Sequence, residues 1–265
     1  ANDAAGTYAD EFDADADPWW HVAAWFVLLH LMGAVAFVVL LPLLRRLPDA
    51  GLGISLAMGL VLPAAAVFVA VAALAFTRSL VAVVLTAWTA LGAWCAHRRR
   101  VELAELWHSR KRILASVCAV SAVAFVVLVA LRAANPDLWH PYRSGEKPFE
   151  TMLLTSVMRT RTLPPYDAWF AGGASNYYYG GYLLLSLPGR LLGTPPTMVM
   201  NIALGVVGAA AAAAVFSAGA ALATVGRRRT ARADDGSTLA LRSGLLAVGL
   251  VLLLPNATIL PEMLL

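Results

Sequence analysis

The chain has 265 residues, of which 60% are apolar and only 14% charged, and its mean hydropathy is +0.72. These values exclude an ordinary soluble globular domain and point to a lipid bilayer as the main solvent. The net charge of +4 does not indicate a nucleic-acid partner, because Lys and Arg fall in short clusters between apolar runs, where membrane orientation accounts for them.

In chain order, residues 1–19 read as an acidic tail (Asp3, Asp10, Glu11, Asp13, Asp15) without the basic start or cleavage site of a signal peptide. The chain begins at Ala1 and stops at Leu265 just after an apolar run, so it is expected to be a fragment of something longer. Apolar runs near the ~20 residues needed to cross a bilayer predict spans at about 20–44, 52–76, 80–96 and 113–131. Residues 20–112 thus make a three-span region, and 113–265 begin a second membrane module. Cys95 and Cys118 lie in or beside spans and read as small packing residues rather than a disulfide. His30, inside span one, could relay protons, but a neutral histidine hydrogen-bonded between helices is the preferred account.

Basic clusters orient the spans. Arg45 and Arg46 follow span one, and Arg98, Arg99, Arg100, Arg110, Lys111 and Arg112 lie between spans three and four, which puts both loops in the cytoplasm of a plasma-membrane protein. The N-terminus and the loop at 134–196 are then external. If residues 177–192 crossed the membrane, Arg227, Arg228, Arg229 and Arg232 would end outside, against the positive-inside bias. That segment is also only about 24 Å long against a core of ~30 Å, and Pro188-Gly189 interrupts it. It is therefore expected to lie flat, its tyrosines in the headgroup layer. Span five at 197–225, rich in Ala and Gly for close helix packing, and span six at about 239–254 complete an all-α polytopic protein of about six spans with juxtamembrane interfacial helices. No acid or base stands at a span centre, which speaks against a transporter.

The 134–196 loop carries ten Trp, Tyr or Phe residues and is too long for a mere connector. Pro148 suits a helix first turn, and Phe149, Met152, Leu153, Ser156 and Val157 recur at helical spacing, predicting an amphipathic surface helix. Glu146 and Glu150, four apart at its start, share one face and repel each other. Such a pair suits a general base near neutral pH or a divalent cation such as Mg or Mn, though a solvated helix start with surface ion pairs has the same spacing. His140, Arg143 and Lys147 nearby could neutralise the acids or hold an anionic phosphate. Asp137 is a third candidate acid, or a cap in the Asn135-Pro136-Asp137 turn. Residues 163–173, LPPYDAWFAGG, read as a rigid turn and then a flexible one, with Trp169 able to stack on a sugar ring or on lipid. No P-loop, HExxH or CxxC pattern occurs.

At four motifs the chain resembles the uncharacterised YYY membrane proteins: NPDLWHP (135–141), GEKPFE (145–150), PPYDAWFAGG (164–173) and NYYYGGY (176–182). It departs from them where Phe149-Glu150 replaces the usual Met-Asp and where Gly180-Gly181 replaces an aromatic and a glycine. That family is in turn similar to the GT-C membrane glycosyltransferases, which take a sugar from a polyprenyl-phosphate donor outside the cytoplasm. The resemblance implies a GT-C-like module with Glu146, Glu150 or Asp137 as catalytic carboxylate. Substrate contacts would come from His140, Arg143, Lys147, Asp167, Trp169, Asn176, Tyr177, Tyr178 and Tyr179. A metal requirement stays open, with Glu146 and Glu150 as its ligands if one exists. A transporter or lipid flippase, and a noncatalytic scaffold, are the competing classes.

Overall fold

The computed structural model describes residues 18–136, 138, 146–230 and 236–253. The acidic tail and three of the candidate site residues, Asp137, His140 and Arg143, lie outside them. The protein is an all-α polytopic membrane protein. Among the described residues five helices are long and apolar enough to cross a membrane: α1 (Pro18–Leu44), α2 (Leu52–Val71), α3 (Arg78–Arg98), α4 (Arg100–Ala134) and α7 (Pro196–Thr230). Two short helices, α5 (Lys147–Arg159) and α6 (Gly180–Leu192), lie between α4 and α7. The sixth apolar run forms α8 (Gly236–Val248) and a π-helical turn, Gly249–Leu253, and is shorter than a span within the described residues.

Two expectations change in detail. The basic stretch between spans three and four is not a loop: only Arg99 separates the end of α3 from the start of α4 at Arg100, because the sequence from Val101 to Arg112 is rich in strong helix formers and lacks Gly and Pro. Nor does Pro188-Gly189 interrupt α6, which runs through both; α6 instead ends at Gly193, whose positive φ of 65° suits a residue without Cβ. The amides of Gly193 and Thr194 then reach back to the carbonyls of Arg190 and Gly189, a Schellman closure. Thirteen residues give roughly 20 Å, too little to cross a bilayer core.

By contacts the chain forms two compact units. One gathers Ala1–Leu31, Leu60–Ala90 and Val127–Val206; the other gathers Met32–Gly59, Leu91–Val126 and Val207–Leu265. In the first, α5 and α6 pack closely: a Cβ on Gly189 would stand 2.8 Å from Met158 Cε. Leu153, Leu154, Val157, Met158 and Leu187 are buried there. Of the positions expected to share one face of α5, Leu153, Ser156 and Val157 are buried and Phe149 and Met152 are partly covered.

The second unit has a core of Leu56, Ile113, Val117, Ala210, Ala213, Phe216, Ala220 and Ala240. Small residues on α7 let backbones meet, and a Cβ on Gly53 would stand 2.1 Å from the Ala213 carbonyl oxygen. The turn between α1 and α2 is fastened twice. The carboxylate of fully buried Asp49 accepts from the amides of Gly51 (3.1 Å) and Gly53 (3.0 Å) and from the Ser217 hydroxyl. The Arg110 guanidinium donates to the Leu47 carbonyl at 2.6 Å and the Arg45 carbonyl at 3.1 Å.

His30 Nδ1 donates to the Phe26 carbonyl at 2.8 Å within α1. Cys95 and Cys118 are free thiols.

Candidate functional site

The site sits in the first unit and is assembled by α5, α6 and the segment between them. Glu146 stands at the N-cap of α5 and Pro148 in its first turn, where a missing amide proton costs no helix bond. Glu150 follows one turn later, its amide donating to the Glu146 carbonyl at 2.9 Å. The two carboxylates therefore lie on adjacent turns of one helix face.

Across from them, α6 begins at Gly180 and carries Tyr182 in its first turn. The Tyr182 phenol is pushed up to about 12, by burial first and then by the negative charges of Glu150, Tyr177 and Glu146. A shift of this kind puts the acid pair within electrostatic range of the phenol. Aromatic contacts brace the same place. Phe149 packs edge-on to Tyr177 at 5.0 Å and tilted on Trp169 at 5.2 Å, and Tyr177 meets Tyr178 at 5.2 Å.

The turn carrying Trp169 is held by Asp167. Its carboxylate accepts from the amides of Trp169 (2.8 Å) and Phe170 (3.1 Å), while its own amide donates to the Gly173 carbonyl at 3.0 Å. Tyr166 and Ala174 pair across the hairpin so formed. Asp167 thus positions Trp169, whose side chain is 70% exposed. Of the other expected contacts, Lys147 opens α5, Tyr179 is the N-cap of α6, Tyr178 is exposed, and Asn176 is exposed just before the tyrosines.

Sequence reasoning passed over three buried polar groups that hold this unit together. Arg190 of α6 is 1% exposed, and its guanidinium donates to the carbonyls of Phe76 (2.8 Å), Val157 (3.1 Å) and Thr160, with its carbon 3.9 Å from the centre of the Phe76 ring. The isolated arginine in LLLSLPGRLL was the available signal, since a charge in an apolar helix needs a partner. Thr194 accepts from Trp25 Nε1 at 3.0 Å and lies 2.9 Å from His21 Nδ1, tying α1 to the α6–α7 turn. Nearby groups of the same unit line a cleft of about 440 Å³, with Arg132 and Asn201 set among Trp19, Val22, Val129 and Ile202.

Among the described residues no group of three His, Cys, Asp or Glu converges on one point. Glu146 and Glu150 alone could still hold a divalent cation of the kind that binds through one or two carboxylates, waters and substrate phosphate.

Over residues 60–265 the chain matches the family described as uncharacterized membrane protein (DUF2298), and it belongs to that family. No curated protein and no solved structure matches it.

Proposed function

We propose, with membership of the DUF2298 membrane proteins as the premise, that this chain carries the carboxylate half of a glycosyltransferase-like site. The site would move a sugar from a polyprenyl-phosphate donor to a hydroxyl acceptor on the external face of the plasma membrane. The observation behind this reading is that the start of α5, which carries Glu146 and Glu150, packs through Phe149 on Tyr177 at 5.0 Å and on Trp169 at 5.2 Å. The GT-C likeness of the sequence motifs agrees with it.

In this reading Glu146 or Glu150 takes the proton of the acceptor hydroxyl. The acceptor oxygen bonds to the anomeric carbon, and the bond from that carbon to the phosphate oxygen breaks, its electron pair leaving with the polyprenyl phosphate. Lys147 and Arg143 offset the charge that grows on that phosphate. Tyr182 stays protonated at neutral pH and serves as a hydrogen-bond donor. Trp169 offers an exposed ring face to the sugar, and the Arg132/Asn201 cleft suits the lipid part of the donor.

The test uses a strain carrying the full-length gene. With Glu146→Gln and Glu150→Gln, transfer should fall by roughly a hundredfold or more for the residue that acts as base, read as altered surface glycans or accumulated lipid-linked sugar. Unchanged profiles for both variants, at normal expression, would overturn the reading. A scaffold is the second reading, favoured by the exposure of Phe170 (70%) and Tyr178 (85%). It expects the opposite pattern: tolerant carboxylates and intolerant aromatics.

A further inference from the structure

The second compact unit contains a cavity that the proposed reaction does not use. It measures about 590 Å³, within the usual size of a small-molecule site. Besides Arg110, three cations line it from two elements: Arg46 from the α1–α2 turn, and Lys111 and Arg112 from α4. All three are exposed, and none makes an ion pair among the described residues; the neighbouring Arg45 is instead paired with Glu102 at 3.9 Å. Arg110, also in the wall, is committed to the carbonyls of the α1–α2 turn. No carboxylate is among the described lining residues, and Asp234 and Asp235 lie outside the described residues.

Membrane orientation explains why cations stand at this end of the helices, but it does not require them to surround one cavity. The rest of the lining adds a second feature. Ile113 and Leu241, which belong to or pack against the core of the unit, give the lining an apolar part. A ligand that matches both parts has an anionic, hydrogen-bond-accepting head and a hydrocarbon tail.

We propose that this cavity binds the phosphate headgroup of an anionic phospholipid, with Arg46, Lys111 and Arg112 on the phosphate and the first acyl carbons against Ile113 and Leu241. Guanidinium and ammonium groups suit phosphate as charge-assisted donors, and each basic residue near an anionic lipid contributes about a fivefold gain in affinity.

The experiment takes full-length protein, strips it of lipid in detergent and returns it to phosphatidylcholine vesicles with or without phosphatidylglycerol. Native mass spectrometry then reads the retained lipid. Wild type should hold phosphatidylglycerol selectively. Lys111→Gln with Arg112→Gln should weaken retention roughly thirtyfold, whereas Arg98→Gln with Arg100→Gln, an equal charge loss outside the cavity, should change it less than about twofold. Equal losses in the two double variants would show a diffuse surface effect and overturn the site. So would wild type that retains phosphatidylcholine equally well. Competition by glycerol phosphate as strong as by the lipid would mean a free phosphate ligand and overturn the lipid assignment. The wild-type comparisons decide the matter even if a variant fails to fold.

Discussion

At Tyr182 the proton is held more tightly than in an ordinary phenol, up to about 12, and its causes rank burial above Glu150, Tyr177 and Glu146. The folded protein keeps that proton in a range where the unfolded chain has lost it. Stability from this group is therefore whole below about pH 10 and is lost as pH rises toward about 12. Tyr182→Phe should flatten that alkaline loss, seen by thermal unfolding across the pH range. In the Glu146→Gln/Glu150→Gln variant the tyrosinate absorbance assigned to Tyr182 should appear at lower pH, yet still above 10, since burial remains. An unmoved midpoint would separate the carboxylates from the tyrosine. The acid pair was readable from its spacing of four, because helical periodicity is local. Its partner Tyr182 was not, because the encounter depends on how α5 meets α6. Asp49, fully buried and bonded to two amides and Ser217, was hidden for the same reason: its sequence context, LPDAG, reads as an ordinary solvated turn.

Among the elements, α6 shows how a segment can be apolar without spanning. Gly193 and the following Pro195-Pro196 end it after 13 residues, and Arg190 anchors it to α5 and to the chain just after α2. The guanidinium is well suited to that task because its planar fork reaches carbonyls in different directions. Arg190→Met should leave the carbonyls of Phe76, Val157 and Thr160 without this donor in a buried place, costing about 3 kcal/mol or more. Arg190→Lys should recover only part of it, since one ammonium cannot reproduce the fork. The measurement is the thermal midpoint in a fixed detergent; an Arg190→Met protein as stable as wild type would remove Arg190 from the framework. Charge and length together predicted that this segment does not span, and α6, at 13 residues, is too short to cross a bilayer core. The expected break at Pro188 did not follow, because a single proline removes one helix bond while Leu183, Leu185 and Leu187 still bury their side chains.

For the whole molecule, what composition conveyed was the class, and what charge conveyed was the path. The stretch Val127–Val206, from the end of α4 through α5 and α6 to the start of α7, stays within one compact unit. Which side of the membrane the Glu146/Glu150 site faces rests on the positive-inside bias, and here the roles of the cations matter. Arg78, Arg132 and Arg190 of the first unit donate to backbone carbonyls of Leu191, Asn135 and Phe76, so they are structural as well as charged. Arg46, Lys111 and Arg112 of the second are exposed. With the latter as orientation signals, we propose that the helix ends bearing Arg46, Lys111 and Arg112 face the cytoplasm and the Glu146/Glu150 site faces outside. Cysteine labelling in intact cells checks this in a background with Cys95→Ala and Cys118→Ala. Trp169→Cys, at a position now 70% exposed, should react with a membrane-impermeant maleimide added outside. Glu105→Cys, exposed on α4, should react only after the membrane is opened. The reverse pattern would turn the protein over, place the carboxylates in the cytoplasm, and remove the external polyprenyl-phosphate donor from consideration while leaving the helical architecture intact.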